Sequence, residues 1–241
     1  MRGSQKWVAL GIAMGSLALW PAAAGAAPID RASDHAALVA YHGYLEDVLS
    51  STPAIHTATD NHVSSIAARC PGVLTPLNSL PPGSVNQGAA LSFTEELGGD
   101  LAVAAGTAIR APFAQLAATL RPLRWSTPQT GKTIRGYLTA ERRMLRLGPS
   151  RLCADLKAFA ASNGQQTPAG TDRWLAKLAV LQAAQQSRLA AFQAVLERFR
   201  SPADAGLVAD SERIQRRFGA AVKSILMPEA KRLLSALGLS S

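Results

Sequence analysis

Four histidines are the residues best suited to hold a metal or a haem iron, and all of them come early: His35, His42, His56 and His62. A neutral imidazole offers a lone pair to zinc, copper or iron, and a carboxylate can complete the set. His35 and His42 stand seven apart, on roughly one side of a helix, with Glu46 four residues beyond His42. His56, Asp60 and His62 lie on the next helical segment. If the two segments fold as a hairpin, His35, His42, Glu46, His56 and His62 form a small metal- or haem-binding bundle. Against that reading, no two histidines are three or four apart and no CxxCH occurs. No cofactor is assigned, and surface or boundary histidines are the plainer expectation.

Acids and nucleophiles point to no reaction. Glu95, Glu96 and Asp100 cluster, and Glu141 lies on a later helix. Carboxylate-bridged metal pairs in bundles use inward acids together with ExxH elements, and no ExxH is present. These acids are expected to be solvated or paired with arginines. There is no GxSxG, HExxH, phosphate loop or dinucleotide fingerprint. Gly131-Lys132-Thr133 resembles the tail of a phosphate loop, but the earlier glycine is misplaced. The reading is non-enzymatic.

Charge carries a stronger signal. Residues 27–120 hold three basic and eight acidic residues, whereas residues 121–241 hold twenty basic and eight acidic. Arg142, Arg143, Arg146 and Arg151, and then Arg213, Arg216, Arg217 and Lys223, recur at helical spacing and form positive stripes. One reading is a solvated face that complements the acidic half. The sharper one is a surface for an anionic cell-envelope polymer, a membrane surface or a protein partner. Specific nucleic-acid recognition has no motif to support it.

The elements that must position these residues are helical. Apolar residues recur at three and four over Asp34–Leu49 and Ile55–Cys70, and Pro71-Gly72 stops the second helix. Residues 71–85 form a Pro-rich loop. A long helical region runs over Ser84–Leu120, opened by a Ser84/Gln87 capping box. Gly98-Gly99 and Pro112 predict bends or a break at one of these points. A helix opened by Ser126 and Gln129 carries Ile134, Tyr137, Leu138, Glu141 and Leu145, and a short one covers Arg151–Ala161. Residues 162–171 read as a polar loop.

Asp172–Arg200 has the clearest seam, with Gln182 and Gln185 as a small polar layer or seam edge. Ser201-Pro202-Ala203-Asp204 starts the last helix, which Pro228 kinks or restarts. The expected fold is all-α, an up-down bundle of four main helices with additional short helices, in one domain over 27–241.

Residues 1–26 read as a cleavable secretory signal. Arg2 and Lys6 precede an uncharged run from Trp7 to Trp20, and small residues at Ala24 and Ala26 place the cut after Ala26. Removing 26 of 241 residues leaves 215 and takes the formal charge from +9 to +7. No later stretch reads as a bilayer-spanning helix. In an oxidising compartment Cys70 and Cys153 are expected to form a disulfide, worth about 4–5 kcal/mol in the chain-entropy account. The overall expectation is an exported helical binding protein in the periplasm, envelope or medium.

Overall fold

The computed structural model describes residues 31–125, 127–198 and 201–239, so the signal-peptide reading lies outside the described residues. Within them the chain is all-helical. Eight α-helices occur in order: α1 (Arg31–Ser50), α2 (Thr52–Arg69), α3 (Gln87–Gly106), α4 (Arg110–Leu120), α5 (Pro128–Leu145), α6 (Leu152–Ala161), α7 (Ala169–Arg198) and α8 (Ala205–Ala236). Short 3-10 turns sit at Thr75–Ser79, Thr107–Ile109 and Pro202–Asp204.

The first two helices do not fold back as a hairpin. Pro53 sits in the first turn of α2, where its missing N–H costs nothing. Ser51 keeps a right-handed helical backbone, its N–H bonding Asp47 O and its carbonyl accepting from Ile55 N–H. Helical bonding therefore continues across the junction, and α1 and α2 are two segments of one long rod.

Helix α8 packs on both segments and runs parallel to them. His35 meets Asp204, His42 meets Ser211, His56 meets Glu229 and Asp60 meets Arg232, so both chains advance together in near-constant register. Beyond the rod, Gly72 N–H bonds Ala236 O and Leu74 N–H bonds Leu237 O. This parallel pairing departs from strict up-down alternation. In contrast, α5 and α7 are antiparallel: Gly148 O accepts from Trp174, and Glu141 from Gln185, while Arg188 crosses Gly136.

The core forms where α1, α5 and α7 meet. Tyr137 stacks on Phe192 at 4.5 Å between centroids, and Tyr41 meets the same ring edge-on at 5.2 Å. Leu38, Ile55, Ile66, Leu97, Leu101, Leu120 and Ile134 are fully buried elsewhere along the same continuous core. Burial of three tyrosines raises the hydroxyl pKa of Tyr41, Tyr44 and Tyr137 above the usual phenol value.

Several local expectations shift for identifiable reasons. Gly98-Gly99 does not break α3, which continues to Gly106. Gly99 instead allows α7 to approach, since a Cβ there would lie 2.6 Å from Leu178 Cδ2 and 2.8 Å from the Trp174 ring. The break falls at Thr107–Ile109, because the Pro112 ring opposes the carbonyl four residues earlier. Asn86, not Ser84, caps α3 by accepting from Ala89 N–H at 3.1 Å.

Thr127 caps α5, with Ser126 outside the described residues. α7 starts at Ala169, so the polar loop is shorter than expected. At α8 the capping box does form: Ser201 N–H and Oγ both donate to Asp204 Oδ2. α8 then runs through Pro228 without a restart.

Against the expectation that no later stretch is apolar enough, Gln87–Leu120 meets the length and composition of a bilayer-crossing helix, its most apolar 18 residues having a mean hydropathy of 1.3. Its apolarity has a use inside the fold, where Leu97, Leu101, Ala105, Phe113, Leu116 and Leu120 enter the core.

Candidate functional site

The early histidines are spread along the α1–α2 rod rather than gathered. His35 Nδ1 lies 2.8 Å from Asp204 Oδ1. His42 shares the space between Glu46, Asp210 and Ser211, at 3.5, 3.6 and 3.1 Å. His56 Nε2 is 3.7 Å from Glu229 Oε1, at the edge of an open cleft of about 480 Å³ beside Pro228. His62 turns the other way and meets Asp100 on α3 at 2.5 Å. Among the described residues no three such ligands converge on a metal. The physical reason is the continuous rod, because convergence of His35 and His42 with His56 and His62 required a hairpin.

Each histidine instead ties one helix to a carboxylate, three of them across the parallel seam with α8. The Asp204 site shows how such a tie works. Burial pushes its pKa up, but hydrogen bonds from Ser201 and His35 outweigh this, so the carboxyl titrates below its ordinary range. Arg232 adds a fourth tie, reaching Asp60 Oδ1 at 2.7 Å and Glu229 Oε2 at 2.8 Å.

Of the four acids expected to be solvated or paired with arginines, Glu95 is exposed as expected, and the structure corrects the reading for the other three. Glu96 and Asp100 are each 1% exposed, and Glu141 is buried too. Asp100 takes the Ser150 backbone N–H on one oxygen and His62 on the other. Glu141 accepts from Gln185 Nε2 at 2.8 Å, so Gln185 is a polar layer with a carboxyl partner. Burial raises the Glu141 pKa, and the Gln185 bond only partly opposes it. The partners of Asp100 and Glu141 are thus a backbone N–H, a histidine and a glutamine, not arginines. No described serine or cysteine is positioned by His62 as a nucleophile, since Ser150 presents its N–H, not its hydroxyl, to Asp100.

The expected Cys70–Cys153 bridge is not formed: both are free thiols and their sulfurs are not at bonding distance. The fold nevertheless brings them together, since Cys70 ends α2 and Cys153 lies in the first turn of α6, which packs on it. Cys70 Sγ–H donates to Ile66 O at 3.2 Å. Burial, and then the neighbouring Cys153, push the Cys70 thiol up to about 12. A thiol so protonated is a poor nucleophile.

The basic stripes fall on different helix pairs. On α8, Arg213 is paired to Asp210 and Arg216 to Glu212 at 3.7 Å, leaving Arg217 and Lys223 exposed without an ion pair among the described residues. On α5 the situation differs. Lys132, Arg135, Arg142, Arg143 and Arg146 lie within a sector of about 100° on the helical wheel and span about 21 Å. All are exposed except Arg142, which is half-buried, and none makes an ion pair among the described residues.

The acid of this helix, Glu141, faces inward. Arg188 of α7 adds its side chain by crossing α5 at Gly136, where a Cβ would be 3.4 Å from Arg188 Cδ. Arg151 is exposed just beyond, at the start of α6.

Lys132, Arg135 and Arg188 belong to this ridge although the sequence reading omitted them from it. The spacing of Lys132, Arg135, Arg142 and Arg146 carries the signal for Lys132 and Arg135. Arg188 is brought in only by the antiparallel pairing of α5 and α7. Comparison of the chain with protein-family models, curated proteins and solved structures finds no match.

Proposed function

We propose that the chain is an exported, non-enzymatic helical protein that holds an anionic envelope partner on the exposed face of α5. The observation that carries this reading is the one-signed ridge from Lys132 to Arg146, whose neighbouring acid is buried and held toward its neutral form. A solvated stripe would ordinarily carry acids at three- or four-residue spacing, as α8 does with Asp210 and Glu212. An unneutralised row of guanidinium groups favours bidentate contacts to carboxylate or phosphate oxygens. Export by residues 1–26, and a site of action outside the cytoplasm, are part of the same proposal and rest on the sequence pattern alone.

The test is binding at low ionic strength to an anionic polymer such as heparin, with neutral dextran as the control. Binding that weakens steeply with added salt is expected. Absence of binding at low salt, or binding indifferent to salt, removes the proposal.

A further inference from the structure

Where α3, α6 and α7 meet, two acids face each other with no base between them. Glu96 Oε2 accepts the Thr171 hydroxyl at 2.7 Å, and both residues are 1% exposed. Glu96 also lies against the side chains of Ser150 and Asp155. The Asp155 carboxylate in turn is seated over Gly170 at the start of α7, where an added Cβ would collide with it. Glu96 Oε1, Asp155 Oδ2 and Ser150 Oγ are all closed to solvent, yet none has a well-formed hydrogen bond.

Two ionised carboxylates cannot satisfy each other, because both only accept. A single proton between them converts one into a donor and removes one buried charge. The groups acting on Glu96 are Thr171 from α7, Ser150 from the segment before α6, and Asp155 from α6, and no cation is among them. On α3 itself, Asp100 is one turn along, and its oxygens are occupied by His62 and the Ser150 N–H. Asp172, beside Thr171, is exposed.

We propose that Glu96 and Asp155 share one proton and act as a latch that holds the first turn of α7 against α3 and α6, opening when that proton leaves. Burial drives the Glu96 pKa up to about 7, against the Thr171 hydrogen bond and the nearby Ser150 hydroxyl, which act to lower it. The folded chain therefore keeps a proton on Glu96 that the unfolded chain loses near the ordinary carboxylate value. The contribution of the latch is full below that unfolded value and is lost as pH rises through about 7. The proposal is independent of the basic ridge and stands or falls without it.

Thermal unfolding of the full chain and of Glu96→Gln between about pH 4 and 8.5, from below the unfolded carboxylate value to above the folded one, is the direct test. Glutamine keeps a donor toward Asp155 without the titration. The variant should match the native chain at the acid end and exceed its Tm by several degrees at the alkaline end. A Tm difference that stays constant with pH overturns the latch. Should Glu96→Gln not fold, amide exchange on the native chain decides the matter. Corrected for intrinsic rates, protection over the first turn of α7 should fall about tenfold between one unit below and one unit above pH 7, with α8 unaffected. Unchanged protection at α7 overturns the proposal equally.

Discussion

At the scale of single residues, the interior holds polar groups through small, exact sets of partners, and each set makes a stability prediction. Gln185→Ala strands the buried Glu141 carboxyl without its 2.8 Å donor, which should cost about 1–3 kcal/mol by chemical denaturation. Glu141→Gln should cost less than Gln185→Ala, because a raised pKa already favours the neutral form of that side chain. A larger loss for Glu141→Gln would mean that the charge itself is needed.

Asp204 behaves in the opposite sense. Its folded pKa is lowered, so its contribution is present above the unfolded value and is lost as pH falls through the folded one. Asp204→Ala should therefore lower stability by about 1–2 kcal/mol at neutral pH. That gap to the native chain should close in strong acid, as read from urea midpoints across pH.

At the scale of elements, the sequence signals that survived were those written locally. Apolar spacing found the helices, and Ser201 with Asp204 announced the start of α8. What was not legible depended on which partner a helix meets. Gly98-Gly99 reads as a weak point in an isolated helix, but Gly99 packs beneath Trp174 and Leu178 and lets α3 continue. Ser50 through Pro53 reads as a break, yet a proline in a first turn is compatible with a helix that resumes at once.

The glycine that ends α8 gives a sharp test at this scale. Gly238 has φ of +93°, and a Cβ there would lie 3.0 Å from Thr75 N and 3.1 Å from Gly72 Cα. Gly238→Ala is strained both by backbone and by contact, so it should cost about 1–3 kcal/mol. It should also loosen the join between α8 and residues 72–78, visible as faster amide exchange at Gly72 and Leu74. Normal exchange there would contradict the packing described.

At the scale of the whole molecule, one topological fact decides how the candidate sites are read. Because α1 and α2 form a rod with α8 alongside in parallel, His35, His42 and His56 are distributed along that seam while His62 turns to α3, and the described residues hold no converging ligand set. In a background lacking Cys70 and Cys153, the pair His42→Cys and Ser211→Cys should be bridged by a short bifunctional thiol reagent, since the His42 and Ser211 side chains meet at 3.1 Å. Failure to cross-link would place α8 elsewhere. The charge asymmetry was legible from composition, but its division into a neutralised stripe on α8 and an unneutralised ridge on α5 was not. That division needed the buried orientation of Glu141 and the crossing of Arg188.

The measurement that bears most directly on the proposed function compares two triple variants for heparin binding by fluorescence anisotropy at low salt. Arg135→Ala, Arg142→Ala and Arg146→Ala together should weaken binding by about tenfold or more and flatten its salt dependence. Arg213→Ala, Arg216→Ala and Arg217→Ala together should change it far less, because two of those arginines are already paired on their own helix. Equal losses from the two helices, or binding by the α5 variant as tight as that of the native chain, would contradict the α5 ridge as the binding surface.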